Sequence, residues 1–505
     1  LWDIINHKGG LPVKKVNMLV NPLETKSVIH KEIYGHFAEH LGRCIYGGIY
    51  VGEDSPIPNI RGIRKDIIEA FKQIRVPVLR WPGGCFADTY DWRGGVGKKS
   101  ERAKIMNVNW GNVCEDNSFG THEFFDLCEL IGAQPYLAGN LGGGSARELA
   151  DWIDYITFDG SSPMADLRRK NGRDKPWKLK YLGIGNESWG CGGNMRCEHY
   201  ADEFRRYSSF CRDYSGNKLY KVACGGDEKW NDTLLRVLSE DVNMKPADAI
   251  TLHYYTIIGS DFEHKGSAVD FTAEEYYQSI KNTQWIDRVI ERNKEIMDIR
   301  DPDKKIGLIV DEWGCWYDVE EGTDPGFLYQ QNTMRDAVVA ANYLNIFNKH
   351  SDRVVMANLA QAVNVLQALV LTEGEKMIKT PTYHVMDMFK EHMDARLVHS
   401  SVENEYEGGM LCLSQSASLS QGRLHITLAN ASLINDFDVF CAIPFVSVRS
   451  ASAKILTGDM RAYNTFDAPE TVAICSHDVI AESGALRFTA PKCSVIEIEV
   501  EIDES

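Results

Sequence analysis

The chain has 505 residues, with 72 acidic and 55 basic side chains, a formal charge of −17, 44% hydrophobic residues and 25% charged ones. These proportions belong to a folded protein of two to three domains, or fewer if one is an α/β barrel, and they exclude a disordered chain. The acidic balance makes nucleic acid a poor partner, and no stretch reaches the ~18 uninterrupted apolar residues that a membrane span needs.

The first ten residues, LWDIINHKGG, lack the apolar core of a signal peptide. Lys15–Val20 is strand-like, so residues 1–30 are expected to supply a strand to a β-domain. From 31 to 393, β-type runs alternate with helix-period segments. Eight strands are expected: Glu32–Phe37, Val76–Trp81, Gln134–Gly139, Leu179–Gly185, Lys221–Cys224, Ala249–Tyr255, Ile306–Asp311 and Val354–Leu359. Between them, Ile63, Ile67, Ile68, Phe71 and Ile74 recur at helical spacing, as do Tyr200, Phe204, Tyr207 and Cys211. Eight strands alternating with helices imply an α/β fold, the closed (β/α)8 TIM barrel. The connections over 38–62 and 82–119 are long and aperiodic, as loops that build a binding face often are. From 394 to 505 the texture changes to alternation, as in Leu424-His-Ile426-Thr-Leu428 and Ile496 to Ile502. That pattern implies a C-terminal antiparallel β-sandwich domain.

Thirteen cysteines are scattered from Cys44 to Cys493, several inside apolar runs. They are expected as reduced, packed thiols in a bacterial cytoplasm. Asn186-Glu187-Ser188 is formally a glycosylation sequon, and its position in the expected site argues against a eukaryotic secretory route.

Reactive side chains in such a barrel come from the carboxyl ends of strands. The fourth strand ends Gly-Ile-Gly-Asn186-Glu187, and the seventh ends Ile-Val-Asp311-Glu312-Trp313. Two glutamates at one mouth can hydrolyse a glycosidic bond, one as proton donor and one as nucleophile or base. A single glutamate at such a position serves as readily as a helix cap or a surface ion-pair partner; the pair is more telling. Arg80, buried at the end of the second strand, needs an anion, and a nucleophilic carboxylate is one. His253 and Tyr255 end the sixth strand, where they can orient a carboxylate or a sugar hydroxyl. Trp81, Trp92, Trp110, Trp189 and Trp313 are candidates for stacking on sugar rings.

The blocks IYGHFAEHLGRCIYGG, LRWPGGCFAD, YLGIGNESWGCGGNM, LHYYT, DEWGCWYD and MANLAQAVNVLQA resemble the signatures of the α-L-arabinofuranosidases of glycoside hydrolase family 51. TPTYHVMDMFK and ILTGDMRAYNTFDAPETV add to the likeness, which runs from about residue 30 to 495. The resemblance implies an exo-acting, retaining enzyme with Glu187 as acid/base and Glu312 as nucleophile. It further implies arabinose contacts from Glu39, Cys85, Asn186, Tyr255 and Gln367, with Gln361 close by in the same block. Support would come from Arg80, His253 and Trp110. The substrate implied is an arabinoxylan- or arabinan-derived oligosaccharide, with no cofactor or metal and a homohexameric assembly. A related retaining glycosidase, a β-xylosidase or endo-β-glucanase, shares the two-glutamate chemistry. A remoter rival is a zinc metallopeptidase, through His36-Phe-Ala-Glu39-His40, an H-x-x-E-H pattern that requires a helix. Gly47 departs from the family pattern, where a bulkier or charged residue is expected.

Overall fold

A computed structural model describes residues 13–240, 247–259 and 261–503. Eight parallel strands close into a barrel: β1 (Gly35–Phe37), β2 (Val78–Trp81), β3 (Gln134–Gly139), β4 (Tyr181–Ile184), β5 (Tyr220–Ala223), β6 (Ala249–Thr256), β7 (Gly307–Cys315) and β8 (Val354–Ala360). All eight expected strands are present. The periodic segments between them form helices, including Lys65–Gln73 and Cys197–Phe210, which bury their apolar faces against the barrel.

Seven strands each send one residue into a buried layer: Val78, Tyr136, Tyr181, Val222, Ala249, Ile309 and Met356. The eighth, β1, contributes Gly35, where a Cβ would lie 2.5 Å from Val78 and 2.4 Å from Asn358. Glycine is thus what lets this layer close. The sequence suggests that β1 starts at Glu32, but Lys31–Tyr34 form a 3-10 turn instead, and Glu32 accepts a hydrogen bond from the Tyr181 hydroxyl at 2.8 Å. The barrel interior is therefore packed, and chemistry belongs at its carboxyl rim.

The β-domain is one ten-stranded sheet, curled and mostly antiparallel. Ser494–Asp503 lies between Arg423–Asn430 and Ser447–Thr457. The strand Lys14–Val28 runs antiparallel to Arg396–Val402 and parallel to Phe437–Ala442; residues 1–12 of the N-terminal segment lie outside the described residues. Helix Met334–Lys349 is buried on nearly all sides, because it packs between the barrel and this sheet. No helix among the described residues is long and apolar enough to cross a membrane.

Candidate active site

The site begins with an irregularity in β7. Leu252 pairs with Val310 but His253 pairs with Glu312, so Asp311 is an extra residue in the ladder. Consecutive residues of a regular strand face opposite sides, and a bulge re-aims them. Here it lets Asp311 and Glu312 both reach Arg80, whose Nη1 donates to Glu312 Oε1 at 2.8 Å while its Nε lies 3.3 Å from Asp311 Oδ2. Asp311 also accepts from the Tyr136 hydroxyl at 3.0 Å and from Asn358 Nδ2 at 2.9 Å. The sequence suggests that β7 ends at Asp311, because two carboxylates in a row read as a terminus. The strand continues to Cys315 because both charges find partners inside the barrel.

Glu312 is 6% exposed. Its second oxygen accepts from the Tyr255 hydroxyl at 2.7 Å, and His253 Nδ1 lies 3.6 Å away. Burial pushes this carboxyl up, but His253, Arg80 and the Tyr255 hydrogen bond together outweigh it and hold it below the usual carboxylate range. Burial likewise lowers His253, and the neighbouring charges of Glu312 and Glu187 more than reverse that.

Glu187 sits beyond the end of β4 at φ 39°, in the left-handed region that a non-glycine residue rarely adopts. The turn is held by Gly190 and Gly192, whose N–H groups donate to the Glu187 carbonyl at 2.7 and 3.1 Å. Gly192 passes so close to Asn186 that a Cβ would lie 1.9 Å from its carbonyl oxygen. The result aims Glu187 across the barrel, where its Oε1 is 3.0 Å from His253 Nδ1. Ligand atoms of Glu187, His253 and Glu312 all lie within 4.8 Å of one another.

A third carboxylate, Glu39 at the end of β1, accepts from Phe86 N at 3.1 Å, Trp110 Nε1 at 3.0 Å and Gln361 Nε2 at 3.0 Å. Burial, reinforced by the charge of Glu312, raises it to about 7 despite these donors. Asn186 Oδ1 accepts from Arg80 Nη2 at 2.6 Å, while its Nδ2 is buried without a protein partner among the described residues. Gln361 Oε1 is orphaned in the same way. A buried amide left unsatisfied at a reactive site suits a ligand rich in hydroxyl groups.

The structure thus brings Glu187, Glu312, Glu39, Asn186, Arg80, His253, Tyr255 and Trp110 together. It does not bring Gln367. That side chain is fully buried behind the rim, accepting from Cys315 N at 2.8 Å and donating to the Asp336 carbonyl at 2.9 Å and Thr382 Oγ1 at 3.1 Å. Gln361 takes the place at the site. Cys85 is there too, but bonded to Cys191, and their sulfurs lie 3.9 and 3.5 Å from Glu187 Oε2. The expectation of uniformly reduced thiols is corrected by this one pair, which ties the loop after β2 to the turn carrying Glu187. Eleven other cysteines are free. Trp81, Trp92 and Trp313 are core residues at 0%, 3% and 0% exposure. Trp189 is exposed, with its Nε1 donating to Gly225. Trp316, missed in the sequence, packs edge-on against Tyr255 with ring centroids 5.1 Å apart. The H-x-x-E-H motif lies on β1 and the turn after it, where His40 stacks on Phe86 and accepts from Trp81 Nε1 at 3.2 Å. Its histidines therefore share no helix face, as the peptidase chemistry requires.

Two family descriptions match the chain: "Alpha-L-arabinofuranosidase 1 domain" over residues 70–257 and "Alpha-L-arabinofuranosidase C-terminal domain" over 311–494. An intracellular exo-α-L-arabinofuranosidase of Bacteroides ovatus is 47% identical over 500 residues, spanning 97% of this chain and 96% of its own. The chain belongs to the α-L-arabinofuranosidases of glycoside hydrolase family 51. Among solved members of that family, the arabinofuranosidase of Xanthomonas axonopodis pv. citri superposes with a TM-score of 0.93 at 41% identity, over 96% of this chain and all of the other. The Thermotoga maritima α-L-arabinofuranosidase, solved as an arabinose complex, does so at 0.86 and 33% identity, again over 96% and 100%.

Proposed function

We propose that the chain releases terminal non-reducing arabinofuranosyl groups from arabinan- and arabinoxylan-type oligosaccharides, retaining the anomeric configuration through two displacements. The carrying observation is the placement of Glu187 and Glu312 either side of His253, with oxygens within 4.8 Å. Retaining glycosidases hold their carboxyl groups about 5–5.5 Å apart, whereas inverting ones leave about 6.5–9.5 Å for a water.

In the first step a Glu312 oxygen bonds to the anomeric carbon, the glycosidic C–O bond breaks, and the leaving oxygen takes the proton of Glu187. Glu312 is suited to attack because Arg80 and Tyr255 keep it ionised and aimed. In the second step water gives its proton to Glu187, its oxygen bonds to the anomeric carbon, and the bond to Glu312 breaks. The unpaired Nδ2 of Asn186 is positioned to donate to the sugar 2-hydroxyl, a bond that strengthens as the oxocarbenium-like state develops. Glu39, Gln361 and Trp110 form the wall that holds the remaining hydroxyls. Water, substrate and the two glutamates supply every reacting atom, so the reading calls for no cofactor.

Product analysis by NMR on an arabinoxylan oligosaccharide tests the sugar released, the linkage and the stereochemistry together. Release of xylose or of internal fragments would favour the xylosidase or endo-glucanase reading. An inverted first-formed anomer would overturn the double displacement. The Bacteroides relative's intracellular description supports the same compartment for this chain. By family resemblance the chain assembles as a homohexamer, which light scattering tests; a monomer would overturn it.

A further inference from the structure

A cavity of about 390 Å3 lies among the segments that follow β1, β7 and β8, within the usual range for small-ligand sites of about 300–1,000 Å3. Its lining includes Arg43, Glu320, Phe327, Tyr329, Asn364 and Phe466. Two of the loops that line it also carry residues of the site. Arg43 follows Glu39 in one loop, and Asn364 follows Gln361 in another. Phe327 packs so tightly on Gly111, next to Trp110, that a Cβ there would lie 2.4 Å from its ring.

The cavity has the chemistry of a sugar site rather than of a filled core. Tyr329 and Phe466 pack on a buried patch of Ala368, Leu371 and Ile378, which fixes both rings in place. The Arg43 guanidinium lies over Tyr329, 5.9 Å from the ring centroid. Glu320 Oε1 is buried with no hydrogen-bond partner, an acceptor that calls for a donor. Asn364, by contrast, is satisfied by Thr372 and the Arg43 carbonyl and belongs to the frame. With Glu373 also at the lining, acids outnumber bases and an anion is disfavoured. A neutral ring with hydroxyls at its edge and axial C–H bonds on its faces fits both the aromatic walls and the free acceptor.

We propose that this cavity is a second saccharide site, which binds a neutral pyranosyl residue of the chain that carries the arabinosyl group. The inference deepens the activity proposed above and rests on it for its biological meaning, but its binding test does not depend on catalysis.

Xylotriose, which has no arabinose, is titrated calorimetrically into the full chain with the catalytic pocket saturated by free arabinose. Binding is expected to persist under arabinose and to weaken about tenfold in Phe466→Ala, the loss of one stacking ring. Glu320→Gln, nearly isosteric, is expected to weaken it severalfold. In kinetics, Phe466→Ala should raise KM for an arabinosylated xylotriose about fivefold while leaving kcat and the turnover of an aryl arabinofuranoside unchanged. That last substrate also reports that the variant is folded. No xylotriose binding, binding displaced by arabinose, or binding indifferent to both substitutions would overturn the proposal. Failure of the activity reading would show separately, as absent hydrolysis of the aryl arabinofuranoside by the unaltered chain.

Discussion

The ends of β4 and β7 each deliver one glutamate to the same space, by opposite means. Glu312 stays within a strand, nearly inaccessible, and is gripped by an arginine and a tyrosine hydroxyl. Glu187 leaves its strand through a turn with an unusual backbone conformation, and its side chain keeps 22% exposure, paired with His253 rather than with an arginine among the described residues. The contrast suits the two tasks proposed for one residue type: a fixed, charged oxygen on one side and a reachable proton carrier on the other.

Substitutions can break that contrast or sharpen it. The largest effect is expected from Glu312→Ala, a loss of roughly 10^4-fold or more in kcat on every substrate, since no other group can form the covalent bond. Glu187→Ala is expected to cost about 10^2- to 10^4-fold on natural oligosaccharides. It should cost far less in the first step with aryl glycosides, whose leaving groups need little protonation. Equal losses on both substrate types would erase the division of labour between the two strand ends.

Tyr255→Phe removes one charge-assisted bond to Glu312 and should lower kcat/KM roughly ten- to hundredfold. The same substitution takes away support for the ionised form. Glu312 then titrates at higher pH, and the acidic limb of kcat/KM should move upward; an unmoved limb would show that Arg80 and His253 suffice. The smallest effect concerns stability. Glu39 is raised to about 7 in the folded chain, so between its unfolded value and that pH the folded state holds a proton the unfolded state has lost. Stability should therefore fall as pH rises through this window. Glu39→Gln is expected to flatten that slope in thermal unfolding midpoints, and an unchanged slope would assign it to other groups.

The barrel was legible because its strands are apolar runs separated by helical periodicity, and both catalytic candidates stand where such runs meet charge. Detail was lost wherever a single loop position decides the outcome. Gln361 and Gln367 lie in one block after β8, and no periodicity tells which side chain turns inward. The bond between Cys85 and Cys191 joins loops 106 residues apart, a pairing that spacing does not announce. Asp311 was visible beside Glu312, yet its part in holding Arg80 depends on a bulge that composition does not encode. Trp81 and Trp313 looked like sugar platforms because they adjoin reactive blocks; the alternation of a strand sends them outward into the layer of helices instead.

The strand Lys14–Val28 has its sheet neighbours far along the chain: Met18 pairs with Val402 and Val16 with Val439. At the ribosome, where synthesis proceeds at about 5–20 residues per second, this strand waits roughly 20–80 s for its first partner to be made. The barrel thus emerges while nine of the ten strands of the β-domain are still unmade, and a nascent chain stalled before residue 396 is expected to leave Lys14–Val28 open to proteolysis.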